Sequence, residues 1–320
     1  MKQLLTGPVD TPLLGELTPP GDKSISHRAL IMACLARGQS RVEGLLDSAD
    51  VRATAGACRQ LGMTIRKNGA EWLLEGVGAD GLSPPEAALD MGNSGTAMRL
   101  LTGVLAAQPF SSRLIGDESL SRRPMNRIVQ PLSRMGARIM TREGGTPPLE
   151  INGNPELQGI DYASPIASAQ VKSCLLLAGL YASGYTTVSE PLKSRDHTER
   201  MLPAFGVDLH GPCGVAGGSR LQGARVRVPA DISSAAFFMV AAAVVPGSEL
   251  LLRDVGMNET RDGIIHVMQA MGADLEVLNR RDFGGEPAAD IRVRHAGRLN
   301  GIEIPQDRVP SMIDELPVIL

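Results

Sequence analysis

Four cysteines, at positions 34, 58, 174 and 213, are too scattered to form a CxxC pair. That spacing indicates neither a disulfide scaffold nor a thiolate metal knuckle, and the four read as reduced thiols packed on helices. The five histidines show no HxH or HExxH spacing, so no metal site is expected. No apolar run approaches the roughly 18 to 20 residues that span a bilayer, so no membrane association is expected. The opening MKQLLTGPVD reaches glycine and proline too soon to read as a signal peptide, and the cytoplasm is the expected location. There is little excess of either charge: 32 Lys and Arg face 35 Asp and Glu, for a net charge of -3. Nucleic acid is therefore not an expected partner, and any anion-binding surface must be a local cluster. The phosphate-loop pattern GxxxxGK[ST] is missing, as is GxSxG, so neither a nucleotide P-loop nor an activated serine is supported.

What the chain does have is a repeat. An amphipathic run, a hydrophobic residue, a glycine, a small residue and a strand recur as CRQLGMTI, LSRMGARI, LPAFGVDL and MQAMGADLEV, with glycines at 62, 136, 206 and 272. The spacing is on the order of 70 residues, about the size of a small α/β unit. Each glycine suits a helix C-terminus, where a left-handed conformation suits a residue without Cβ. Ahead of each phrase lies a run that is apolar nearly all round, over residues 26–36, 96–107, 168–183 and 233–245. Helices of that composition belong inside a domain. The repeating unit reads strand, loop, buried helix, strand, amphipathic helix, strand and a final strand such as ARVRVP. Three contiguous units predict a first domain over 21–229. Residues 1–20 and 230–320 form a second, with the strand TPLLGELTPP able to pair with either. A fifth unit opens at VPSMIDELPVIL with the start of another buried helix and stops, which reads as a truncation.

Reactive side chains gather at the buried-helix starts. Pro20-Gly21-Asp22-Lys23-Ser24-Ile25-Ser26-His27-Arg28 places Lys, Ser and Arg where unpaired N–H groups and the helix dipole favour an anion. Lys23 suits phosphate as a point charge, and Arg28 suits a planar carboxylate. A capped helix with solvated charges is an equal alternative at this level. The second start, Gly92-Asn93-Ser94-Gly95-Thr96-Ala97-Met98-Arg99, lets backbone approach a ligand closely. The third, Ser164 to Lys172, adds the hydroxyl of Ser168 and the amide of Gln170. The loops holding Arg122 and Arg123, and Ser194 and Arg195, follow the next strands. Asp314 and Glu315 open the unfinished fifth helix. A carboxylate there is ordinarily a cap or dipole partner, and in a cleft lined by Lys and Arg it could be a base.

Taken together, PGDKSISHR, GNSGTAMRLL, GDESLSRRPM, SAQVKS, SRDHTERML and IDELPV resemble, in order, the motifs of the enolpyruvyl transferases. The likeness is closest to the 5-enolpyruvylshikimate-3-phosphate synthase family and its second sequence class. It implies an α/β fold of two domains built from βαβαββ units around buried parallel helices, an inside-out barrel, with the second domain incomplete. It implies two small-molecule partners, shikimate 3-phosphate and phosphoenolpyruvate, held by a monomer without metal or organic cofactor. Lys23 would touch both substrates. Ser24 and Arg28 would hold the ring and carboxylate side of shikimate 3-phosphate, and Ser168, Ala169, Ser194 and Arg195 its 3-phosphate region. Gln170 would lie between the substrates, and Gly95 and Arg123 would meet phosphoenolpyruvate. Asp314 would take the proton of the attacking 5-hydroxyl. Members of the family run about 100 residues further, so this polypeptide alone is expected to be inactive. Two rivals are a non-catalytic anion-binding module of the same fold and the UDP-N-acetylglucosamine branch. The latter carries Asn after its first Lys and a loop Cys, where this chain has Ser24 and GDESLSRRPM.

Overall fold

The computed structural model describes residue 7 and residues 11–320. These divide into two compact units, Lys23–Val228 and the described residues up to Asp22 together with Pro229–Leu320.

Strand β1 (Leu14–Leu17) comes first in the chain. The Lys23–Val228 unit then opens with α1 (Lys23–Leu35), β2 (Arg37–Glu43), α2 (Ala49–Gln60), β3 (Thr64–Asn68) and β4 (Glu71–Val77). The second repeat is β5 (Leu89–Asp90), α3 (Gly95–Ala106), β6 (Ser111–Ile115), α4 (Asn126–Arg134), β7 (Arg138–Met140) and β8 (Leu149–Asn152). The third is β9 (Asp161–Ala163), α5 (Ala169–Gly179), β10 (Tyr185–Ser189), α6 (His197–Met201) and β11 (Gly214–Ala216), followed by β12 (Arg225–Arg227). Three open sheets result, in the orders β12-β2-β4-β3, β5-β6-β8-β7 and β11-β10-β9. The last strand of the unit completes the first sheet, since β12 runs parallel to β2 with Val226 opposite Val42.

The apolar runs form the expected buried helices. Ile25 through Leu35 of α1 and Val171 through Gly179 of α5 are buried without a break. They share one core with Met98, Leu100, Leu101, Val104 and Leu105 of α3. The Gly-small turns have φ of 110° at Gly62, 98° at Gly136, 80° at Gly206 and 91° at Gly272, as their sequence positions require. The third repeat departs from the pattern. No strand forms over 207–209, so its sheet has three strands, and α6 gives way to a 3-10 turn over Leu202–Phe205. Pro203 is the cause, because it lacks an N–H and its ring crowds the carbonyl one turn back.

The other unit repeats the plan once: α7 (Ile232–Val244), β13 (Glu249–Gly256), α8 (Gly263–Ala270), β14 (Asp274–Asp282) and β15 (Pro287–Arg294). β1 pairs parallel with β13, which decides where the N-terminal strand belongs and completes the sheet β1-β13-β15-β14. Two elements here differ from their counterparts in the Lys23–Val228 unit. α7 is not buried all round: Phe237 is 63% exposed and Val244 52%. Its inward residues Ala235, Ala236 and Met239 lie in the core with β13 and β15, and α7 also touches α9. The opening of the fifth unit holds a 3-10 turn, Val309–Ser311, and the helical turn α9 (Leu316–Ile319). Pro310 and Pro317 prevent one continuous helix through that stretch. Among the described residues no helix is long and apolar enough to cross a membrane.

Asp290, 1% exposed, fastens two bulges of this sheet. It accepts from Asp254 N–H at 3.0 Å, Arg253 Nη1 at 3.1 Å, Asn279 Nδ2 at 2.9 Å, and from Arg281. Burial would push its carboxyl up, but these donors outweigh burial and hold it well below the usual range. A depressed folded-state value contributes stability above the ordinary value of 3.8 that is lost as pH falls toward the folded-state value. Asp290→Asn is therefore expected to cost about 2 kcal/mol at pH 7, allowing for solvent screening of Arg253 and Arg281. Urea denaturation at a series of pH values should show the gap to wild type closing on acidification; a gap independent of pH would refute the assignment.

Candidate active site

Three helix starts in the Lys23–Val228 unit are laced together by hydrogen bonds. His27, in the first turns of α1, meets Thr54 Oγ1 through Nδ1 at 2.7 Å and Ser94 Oγ through Nε2 at 3.4 Å. Ser94 is the N-cap of α3, accepting from Ala97 N–H at 3.1 Å. Arg28, 2% exposed, donates to Ser173 Oγ of α5 at 2.7 Å, to Thr198 Oγ1 of α6 at 2.8 Å and to the Ser24 carbonyl at 2.9 Å. From α3, Arg99 Nη1 reaches Gln170 Oε1 at 2.9 Å, and Gln170 Nε2 returns to Thr96 Oγ1 at 3.0 Å. The apolar bodies of the helices place these polar ends side by side, and the bonds set their register.

Gly95 lies between two guanidiniums. A Cβ there would stand 2.7 Å from Arg99 Nη1 and 3.3 Å from Arg123 Nη1. Arg123 is steered by Asn93 Oδ1 at 2.6 Å, and Asn93 is itself tied to Asp117 at 2.7 Å. Its neighbour Arg122 pairs instead with Glu118 in the same exposed turn. Burial lowers the pKa of Arg99, and the positive charges of Arg123 and Arg127 lower it further. Like charges pressed together at a helix N-terminus give a standing attraction for an anion.

The third start holds the serines. Ser168 caps α5, accepting from Val171 N–H at 3.5 Å, and Ala169 is the first helical residue. Ser194 lies half-buried in the loop after β10, with Arg195 half-buried beside it. Glu190 joins them: it accepts from Ser168 N–H at 2.7 Å and from Ser194 Oγ at 2.7 and 2.8 Å. Lys23, at the opening of α1, is exposed, with its ammonium 3.4 Å from Asp50.

Asp314 belongs to the other unit, exposed in the turn ahead of α9. The adjoining Glu315 is 1% exposed and takes a hydrogen bond from Ser233. Arg261, 5% exposed along its side chain, donates to the same Ser233 oxygen at 2.5 Å and lies 3.4 Å from both Asp22 and Asp231. Among the described residues no group of three or more His, Cys, Asp or Glu could hold a metal ion.

Three residues at these helix starts were given no role from sequence: Arg99 and Lys172, which lie within the quoted starts, and Glu190, which lies outside them. Lys172 carried a usable signal, since one lysine inside the otherwise apolar run VKSCLLLAG must find buried partners. It has two, Glu190 at 3.0 Å and Glu199 at 2.8 Å.

Residues 9–320 match the family described as EPSP synthase (3-phosphoshikimate 1-carboxyvinyltransferase). The chain belongs to the EPSP synthase family. A 3-phosphoshikimate 1-carboxyvinyltransferase of Xanthomonas campestris pv. campestris strain B100 is 55% identical over 313 residues, covering 97% of this chain and 71% of the relative. The counterpart in Xylella fastidiosa strain Temecula1 is 54% identical over 313 residues, covering 97% and 69%. A solved EPSP synthase from Acinetobacter baumannii superposes with a TM-score of 0.90 at 51% identity, over 97% of this chain and 71% of that one. The fold implied by the sequence motifs is thus the EPSP synthase fold, and the helix starts lie within the matched region.

Proposed function

We propose that the protein transfers the enolpyruvyl group of phosphoenolpyruvate to the 5-hydroxyl of shikimate 3-phosphate, releasing phosphate. The observation that carries this reading is the pair of guanidiniums on either side of Gly95, linked through Arg99 and Gln170 to the serine-bearing start of α5. Two anion-attracting helix starts, bridged by an amide, suit two anionic substrates that must meet. In this reading Ser168, Ser194 and Arg195 take the 3-phosphate, with Ala169 beside it, and Ser24 and Arg28 face the ring and carboxylate side. Gly95 and Arg123 receive phosphoenolpyruvate, while Lys23 and Gln170 contact both. The reading carries over to a cytoplasmic monomer that uses no metal or organic cofactor.

The chemistry is addition and then elimination. A proton adds to the methylene carbon, C2 becomes electrophilic, and the 5-hydroxyl oxygen bonds to C2 as its proton passes to a general base. Phosphate then leaves C2 while the new methyl group gives up a proton, restoring the vinyl group. Holding the two anions together replaces a costly encounter of like charges, an effect of roughly 7 to 11 kcal/mol in well-oriented systems. Titration calorimetry tests the binding half: shikimate 3-phosphate should bind clearly more tightly than shikimate, which lacks the phosphate. Equal affinity for the two would sink the assignment of the α5 start.

A further inference from the structure

Glu190 is oddly placed for a residue beside a phosphate site. Its carboxylate is buried, 7% exposed, and occupies donors that a phosphate would use. These are Ser168 N–H at 2.7 Å, Ser194 N–H at 3.4 Å and the Ser194 hydroxyl, whose one proton is shared between the two carboxylate oxygens. Lys172 completes the set at 3.0 Å. Two main-chain N–H groups, a hydroxyl and an ammonium form the donor set that recognises phosphate oxygens. Ser168 and Ser194 sit on separate elements, the cap of α5 and the loop after β10, and the Glu190 carboxylate bonds to both.

We propose that Glu190 is a positioning residue for binding of the 3-phosphate, bracketing Ser168 and Ser194 while buried Lys172 cancels its charge. The proposal rests on the substrate reading given above. The arriving phosphate takes the Ser194 hydroxyl by rotation about its Cα–Cβ bond. Glu190 keeps Lys172 and the N–H groups of Ser168 and Ser194, so the bracket persists while the hydroxyl changes partner. Without Lys172 the same carboxylate would stand uncompensated beside a dianion. Lys172 is divided between Glu190 and Glu199, and Cys213 donates to Glu199 at 3.6 Å. Burial alone would lower the pKa of Lys172, but Glu199 and Glu190 outweigh it and raise it, so the lysine stays charged. The Cys213 thiol is pushed up to about 12 by burial and by Glu199, so it stays neutral.

A bracket that serves only the fold would weaken every ligand alike, in step with stability. A positioning role singles out the phosphate. Calorimetry with shikimate 3-phosphate, shikimate and inorganic phosphate separates the two on wild type, Glu190→Gln, Lys172→Met and the double variant. A glutamine oxygen cannot hold both serines, so Glu190→Gln should bind shikimate 3-phosphate about tenfold more weakly while shikimate changes less than about twofold. Lys172→Met should lose about a hundredfold, because the carboxylate is left unpaired, and adding Glu190→Gln should restore part of that loss. Equal losses for shikimate and its 3-phosphate, no loss in Glu190→Gln, or an additive double variant would overturn the proposal. If wild type binds inorganic phosphate but not shikimate 3-phosphate, the substrate reading fails. The bracket then stands or falls on whether Glu190→Gln weakens inorganic phosphate.

Discussion

Gly103→Ala is expected to lose about 2 kcal/mol of stability although alanine is the better helix former. Gly103 lies inside α3, where alanine should gain about 1 kcal/mol from propensity. Its Cβ, however, would stand 2.2 Å from the Cys174 carbonyl oxygen and 3.1 Å from Cys174 Sγ on α5. A carbonyl in a buried helix cannot rotate away, so α3 and α5 must separate, and overpacking of that kind commonly costs about 1 to 3 kcal/mol or more. The strain exceeds the propensity gain. A control is built into the same unit. Gly56 lies inside α2 with nothing within 4 Å of the Cβ position, so Gly56→Ala should stabilise by about 0.5 to 1 kcal/mol. Urea denaturation of both variants checks the opposite signs. Stabilisation by Gly103→Ala would show that the α3–α5 contact is looser than described. The effect should also reach ligand binding, because the separated helices carry the Arg99–Gln170 bond at their N-terminal ends.

That contact illustrates what sequence could and could not specify. The apolar runs identified α1, α3 and α5 as buried helices, and the small or polar residues ahead of them marked the starts. The repeated glycines marked where the second helix of each unit ends. Those features are local, so a single chain reveals them. How closely α3 meets α5 depends on what lies opposite Gly103, which no local pattern encodes. The strand after Gly206 was expected by analogy with its sister units and is missing. Pro203 had already spoiled the helix ahead of it, and Pro212 removes a main-chain donor just beyond.

The candidate site divides in the same way. Serine, lysine and arginine at helix starts are legible because helix termini have a known appetite for anions. Glu190, next to Pro191 at the end of β10, looks in sequence like any charge in a turn. Its role depends on meeting Ser168 and Lys172 from another element, a contact made by folding. Arg28 has a legible part and a hidden one. The sequence marks it as a candidate for a ligand carboxylate, and the structure shows how much of its guanidinium is already engaged by the protein.

Replacing that guanidinium should be severe. Arg28 is 2% exposed and joins α1 to α5 and α6 through Ser173 and Thr198, while also holding the Ser24 carbonyl. Thr198 Oγ1 donates to Ser173 Oγ at 2.7 Å, so the two hydroxyls and the guanidinium form one network. Each hydrogen bond to a charged group is worth about 1.5 to 3 kcal/mol, and removing the charge relieves part of its desolvation cost. Arg28→Met is therefore expected to destabilise by about 3 to 5 kcal/mol, with two buried hydroxyls and the half-buried Ser24 carbonyl left short of a donor. Arg28→Lys keeps the charge but presents a single point where a planar fork met three acceptors, so it should recover less than half of the loss. Thermal and urea unfolding of the two variants measure this directly. Full rescue by lysine would mean that charge alone matters and that the fork geometry does not. The network also bears on binding, since Ser24 is a proposed ligand residue whose carbonyl Arg28 anchors. Arg28→Lys should then weaken shikimate as well as shikimate 3-phosphate, because Arg28 and Ser24 are assigned to the ring and carboxylate that both ligands share. That profile differs from the phosphate-selective loss expected for Glu190→Gln, so the two variants together separate the ring end of the site from its phosphate end.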